Sequence, residues 1–321
     1  MQQGSVLSPY LFNIFIDELL INLKNENDGV RIDDFHINSV AYADDVTLLS
    51  STVTGLQKLV NICSEFASTW RIKFGIKKSK CITLGKPLLK CMPKVYLNND
   101  ELPFSEEVDI LGINFQNKDT FGGHIEKRIK ASRRSIFSLA PIGMTYPGVS
   151  TAVKSHMWKT IGAPTLLYGT DSIHLTKQQI SHLNSTQGCI VKKVTGFSKR
   201  SHHTSLLKAM NIPSIESQIE KSTTGLLNRI MLVDTPTREL QMRLLSKYIL
   251  TGECSKGTMI SQIVSMGVSP VDVIFGLRNT PITTYEDDGV VDSLRYLIHH
   301  DNFMKPWENE YILASMLTRA F

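Results

Sequence analysis

Apolar residues recur at helical spacing over residues 9–25, where Leu11, Phe12, Phe15, Leu19 and Leu23 share one stripe. Ser8 followed by Pro9 predicts an N-cap and a proline in the first turn. A second helical stripe runs over residues 54–70 through Leu56, Leu59, Val60, Cys63, Phe66 and Trp70. Between these segments, residues 35–42 and 46–51 lean towards strand and flank an Asp-Asp pair, which predicts a hairpin. Residues 81–84, 95–97 and 108–115 read as short strands, with Asn98-Asn99-Asp100 as a turn. From about residue 122 the spacing is helical, punctuated by proline and glycine. Ile215, Ile219, Leu226, Leu227, Ile230 and Leu232 predict one amphipathic helix, and the run from Tyr311 to Leu317 predicts another. The expected fold is therefore α+β over residues 1–118, a small antiparallel sheet with helices. An all-α region over 119–205 and a helical carboxy-terminal region over 206–321 follow.

Composition narrows the class but does not name a function. A chain of 321 residues suggests about two domains, and 42% hydrophobic content is enough for a buried core. Five widely spaced cysteines without a CxxC pair indicate neither a zinc finger nor a secreted disulfide scaffold. No apolar run reaches the length of a membrane span and no secretory signal is evident, so an intracellular setting, nuclear or cytoplasmic, is expected. The net charge of +5 is a weak bias. Its distribution says more. Residues 1–50 hold eight acids against Lys24 and Arg31, whereas residues 71–94 hold eight bases and no acid. Further basic clusters stand at residues 127–134 and 192–200. An acidic centre followed by basic segments suits a site that holds metal beside a polyanion.

The sharpest chemical feature is Ala41-Tyr42-Ala43-Asp44-Asp45-Val46 between two strand-like runs. A hairpin turn lets neighbouring carboxylates project at one edge. Two ionised groups about 5 Å apart repel by roughly 3 kcal/mol at an effective dielectric near 20. Such a pair favours a proton on one member, full solvation, or a cation between them. Hard oxygen donors without a nearby His or Cys favour Mg²⁺ or Mn²⁺ over zinc, and Mg²⁺ leaves most of its positions to water and phosphate oxygens. That is the layout of phosphoryl-transfer chemistry. His202-His203 and His299-His300 lack the spaced Cys or carboxylate partners of a metal site and read as surface or capping residues.

Gln3-Gly4-Ser5-Val6-Leu7-Ser8-Pro9-Tyr10-Leu11-Phe12-Asn13, followed by Ala41-Tyr42-Ala43-Asp44-Asp45, resembles a reverse transcriptase of the non-LTR (LINE-type) retrotransposons. Trp70 to Lys80, Asp109-Ile110-Leu111-Gly112-Ile113 and Ala163-Pro164-Thr165-Leu166-Leu167-Tyr168-Gly169-Thr170 are similar to later segments of that family in the same order. The resemblance covers about residues 2–200. It implies a palm remnant at 1–118, a helical thumb or connection at 119–205, and a helical extension of undefined role beyond. The implied activity is RNA-directed DNA polymerase, a nucleotidyl transfer from dNTP to a primer 3′-hydroxyl with two metal ions. Mg²⁺ or Mn²⁺ would be the cofactor, and RNA template, DNA primer and dNTP the partners.

By the same resemblance, Asp44 is the carboxylate most directly bound to metal and Asp45 its partner. Tyr42 lies beside the primer terminus. Gln3 and Gly4 begin the motif on the nucleotide and template side. Lys78, ahead of Lys80, is the lysine near the departing phosphates. Leu111 and Gly112 belong to the hairpin that grips the primer. The family's third metal-binding aspartate lies upstream of the Gln-Gly motif, and Met1 stands two residues before that motif, so neither this aspartate nor the fingers are expected here. Gly75 replaces a more frequent Asn. The expectation is an amino-terminally truncated enzyme with negligible activity as an isolated chain. The alternative is a nucleic-acid-binding remnant without catalysis, acting through residues 71–94 and the thumb.

Overall fold

The computed structural model describes residues 6–32, 35–85, 94–117, 121–275 and 311–317. Two compact units divide the chain, residues 1–120 together with 303–321, and residues 121–302.

In the first unit, helix α1 (Ser8–Lys24) is followed by strands β1 (Val30–Ile32), β2 (Phe35–Ile37), β3 (Ser39–Tyr42) and β4 (Asp45–Ser50), then helix α2 (Val53–Trp70). Next come β5 (Lys80–Leu84), β6 (Val95–Leu97), β7 (Asp100–Leu102), β8 (Glu107–Ile110) and β9 (Ile113–Gln116). Leu7, already at helical backbone angles, is the N-cap of α1, and the Leu11 amide donates to the Leu7 carbonyl. The expected Ser8 cap is thus corrected by one residue, and Pro9 falls within the first turn. The buried face of α1 is Ile16, Leu19 and Leu23, with Phe12 and Phe15 packed at its margin. Leu11, expected in the core, is 53% exposed. The buried face of α1 is set by Ile16, Leu19 and Leu23, and at helical spacing Leu11 falls to the side of it while Phe12 falls on it. In α2, Thr52 caps the start by accepting from the Gly55 amide. Leu56, Leu59, Val60, Cys63 and Phe66 form its buried stripe.

The expected strand over residues 35–42 is two strands. Phe35–Ile37 pairs with β1, and Ser39–Tyr42 pairs with β4. Asn38 breaks them apart because its buried amide has partners elsewhere. It donates to the carbonyls of Leu23 and Glu26 at the end of α1. Residues 108–115, expected as one strand, fold as the β8–β9 hairpin around Leu111 (φ 49°) and Gly112 (φ 79°). Positive φ at both loop positions is what a tight two-residue hairpin requires. That hairpin packs on the main sheet through Val108, Ile82 and the flanking Leu49 and Ile110.

The main sheet has the order β3-β4-β10-β5, and β10 (Tyr311–Leu317) is one of its two inner strands. β10 is antiparallel to both neighbours, with Ala314 opposite Leu48 on one side and Cys81 on the other. The helix expected over Tyr311–Leu317 is therefore corrected to a strand. Seven residues make a marginal isolated helix, whereas the open edges of β4 and β5 offer two ladders of hydrogen bonds.

The second unit is helical among the described residues. It contains α3 (Gly122–Phe137), α4 (Thr151–Met157), a π-helical turn (Trp158–Gly162), α5 (Ala163–Leu167), α6 (Lys177–Thr195) and α7 (His203–Ala209). Helices α8 (Ile215–Leu232), α9 (Pro236–Thr251), α10 (Met259–Ser265) and α11 (Pro270–Phe275) follow. Trp158 is buried, and its indole N–H donates to the Gln187 side chain on α6. Gly162 lies so close to Trp158 and Ile136 that a Cβ would meet the indole ring at 2.4 Å. Further along, Leu227, Leu245, Ile260, Ile263 and Val273 form a separate small core. No helix among the described residues is long and apolar enough to cross a membrane.

Candidate active site

The β3–β4 hairpin turns in two residues, Ala43 and Asp44, with Tyr42 paired to Asp45 across it. Ala43 adopts φ 50°, a left-handed conformation that costs a non-glycine residue about 1–2 kcal/mol. The strain is held by the ladder below it, where Val46 and Leu48 are fully buried. Asp44 thus stands in the turn and Asp45 begins β4, both half-buried at one edge of the sheet. Tyr42 is 66% exposed beside them. On its other side Asp45 lies opposite Leu317 of β10.

The electrostatics of the pair follow from this placement. Burial pushes the Asp45 carboxyl above its ordinary range, and the neighbouring Asp44 charge pushes it further. The Lys78 ammonium pulls in the opposite direction. Lys78 comes from the segment between α2 and β5, whose turn is built on the Gly75 carbonyl. That oxygen accepts from the amides of Lys78 and Ser79 and from the Ser79 hydroxyl. Ser79 and Phe74 are buried while Lys77 and Lys78 are exposed, so the turn anchors itself by its neighbours and presents the cations. Lys80 lies at the start of β5 and is exposed.

Trp70 ends α2 with its ring against Phe15 at 5.3 Å and its N–H donating to Glu18. It clamps the two helices of the unit. Gln3 and Gly4 lie outside the described residues, as do His299 and His300. Leu111 and Gly112 form the turn of the β8–β9 hairpin, which packs on the same sheet as the acids. Among the described residues no group of three or more His, Cys, Asp or Glu gathers as a metal site. The donors at this end of the sheet are two carboxylates, a hard oxygen set that favours Mg²⁺ or Mn²⁺ over zinc. The sequence patterns missed the part played by Gly75 and Ser79, whose Gly-x-x-x-Ser spacing between a helix and a strand was their only signal.

A two-acid hairpin with a flanking lysine is the feature that comparison with known proteins bears on, and the similarity covers the part of the chain that holds it. Residues 1–115 match the reverse transcriptase (RNA-dependent DNA polymerase) family, and the proteins to which the chain is similar include polymerases of retrotransposable elements. It is 22% identical over 237 residues to the RNA-directed DNA polymerase from mobile element jockey of Drosophila melanogaster. That match covers 71% of this chain and 25% of the relative. It is 35% identical over 125 residues to the retrovirus-related Pol polyprotein from the type-2 retrotransposable element R2DM of Drosophila melanogaster, covering 36% of this chain and 12% of that protein. A probable RNA-directed DNA polymerase from transposon BS of the same species is 24% identical over 237 residues, covering 71% of this chain and 26% of the relative. The chain thus spans about a quarter or less of these relatives.

Proposed function

We propose that the chain forms part of an RNA-directed DNA polymerase, with the β3–β4 hairpin as the metal-binding edge of its palm and the helices from Gly122 onward as the thumb and its extension. The observation that carries this reading is the placement of Asp44 in the turn and Asp45 at the head of β4, with the Lys78 charge acting on Asp45. RNA template, DNA primer and dNTP are the partners. Asp44 and Asp45 would hold Mg²⁺, or Mn²⁺ in its place. When bound, the metal supplies Lewis-acid polarisation of the phosphate and a more acidic primer 3′-hydroxyl.

The residues of the chain do the rest. The two carboxylates fix where the attacking and leaving oxygens come together. Lys78 offsets negative charge as pyrophosphate departs. Tyr42, exposed beside the acids, packs against the primer end, and the Leu111–Gly112 turn supports the primer from the sheet. Two carboxylates alone make an incomplete acid set for two metal ions, so the proposal includes negligible primer extension by the 321-residue chain on its own.

Primer extension with the purified chain, an RNA template, a DNA primer, dNTPs and Mg²⁺ tests this. The expected result is no extension above background. Efficient extension that Asp44→Ala abolishes would show that two acids suffice. Salt-sensitive strand binding by a chain that binds no divalent metal at the acids would favour a binding remnant instead.

A further inference from the structure

Two basic clusters that lie some sixty residues apart in sequence meet in the second unit. Arg133 on α3 and Lys192 and Lys193 on α6 line one cavity with Lys199, from the loop that follows α6. The cavity has a volume of about 610 Å³, within the range of ligand sites, and no acid lines it. Its rim is held in place by the chain. Gly196 ends α6 in the left-handed conformation (φ 79°), the Phe197 amide donates to the Lys192 carbonyl, and the Lys192 ammonium donates to the Lys199 carbonyl at 3.1 Å. Lys193 lies over the Phe137 ring, 4.6 Å from its centroid. Phe197 is 51% exposed on the loop beside these cations. Aromatic faces set among cations serve a ligand that carries both phosphates and an unstacked base. A duplex keeps its bases stacked and leaves no base face free for the ring.

Given the polynucleotide reading above, we propose that this cavity is a binding site for single-stranded nucleic acid, with phosphates held by Arg133, Lys192, Lys193 and Lys199 and a base stacked on Phe197. Cys189, exposed and lining the same cavity, reports on it directly. Cys63 and Cys81 are buried, and burial pushes both thiols up to about 12, so they stay unreactive near neutral pH.

The test measures maleimide labelling of Cys189 by peptide mass spectrometry, with half-buried Cys254 as reference, together with fluorescence anisotropy of a short labelled single-stranded RNA. Saturating single strand is expected to slow labelling of Cys189 at least several-fold and to leave Cys254 unchanged. Phe197→Ala should weaken binding about ten-fold. The double variant Lys193→Ala/Lys199→Ala should flatten the slope of log affinity against log salt by about 1.4. Circular dichroism would check that both variants remain folded. Protection of Cys189 by heparin or by a duplex as strong as by single strand, together with wild-type binding of Phe197→Ala, would overturn the proposal. Asp44→Ala should leave Cys189 protection unaltered. A failure here therefore leaves the acid-pair reading standing, and a failure of metal binding at the acids leaves this result untouched.

Discussion

At Asp45, burial and the Asp44 carboxylate act in the same direction, and only Lys78 opposes them. The sign of the pH effect follows. A carboxyl whose folded pKa is raised favours the folded state while it is protonated, below the unfolded value near 4. That contribution is lost as pH rises through the raised value. Asp45→Asn should therefore stabilise the protein near pH 7, and the gain should vanish below about pH 4. Urea denaturation midpoints at the two pH values check this, and an equal effect at both would refute the account of the pair. Ala43 invites a second substitution. Its positive φ is strained, so Ala43→Gly should stabilise the first unit by up to about 1 kcal/mol, read from the same denaturation curves. The acid pair was legible in the sequence because two adjacent charges between apolar runs have few structural homes. The strain at Ala43 was not, because alanine carries no signal for a left-handed turn.

Among the elements, hairpins and long helices were readable wherever periodicity was strong. α2 runs over Val53–Trp70, close to the expected 54–70. What escaped was determined by distant contacts. Asn38 divides a strand because carbonyls at the end of α1 take its amide, and no local pattern announces that. β10 escaped for a similar reason, since its seven residues find their partners in β4 and β5, more than two hundred residues earlier. Ala314→Pro would remove a backbone donor at the centre of that strand and should destabilise the first unit by about 1 kcal/mol or more, the cost of a lost ladder hydrogen bond. Hydrogen exchange at β4 and β5 amides is the measurement, and unchanged protection there would show that β10 does not complete the sheet. In the second unit, Gly162→Ala should cost about 1–3 kcal/mol by thermal denaturation, because the indole of Trp158 and the tip of Ile136 must yield.

Across the whole molecule, the acid pair in one unit carries the proposal of metal binding and the basic cavity in the other carries the proposal of single-strand binding. The family match covers residues 1–115 and the basic cavity lies beyond it, so each feature is carried by its own residues. The central claim is that Asp44 and Asp45 together hold a divalent cation, and Mn²⁺ titration followed by electron paramagnetic resonance measures it most directly. The wild-type chain is expected to take up Mn²⁺ in a form displaced by Mg²⁺, with that uptake lost in Asp44→Ala and sharply weakened in Asp45→Asn. Identical Mn²⁺ uptake by the wild type and both variants would contradict the account.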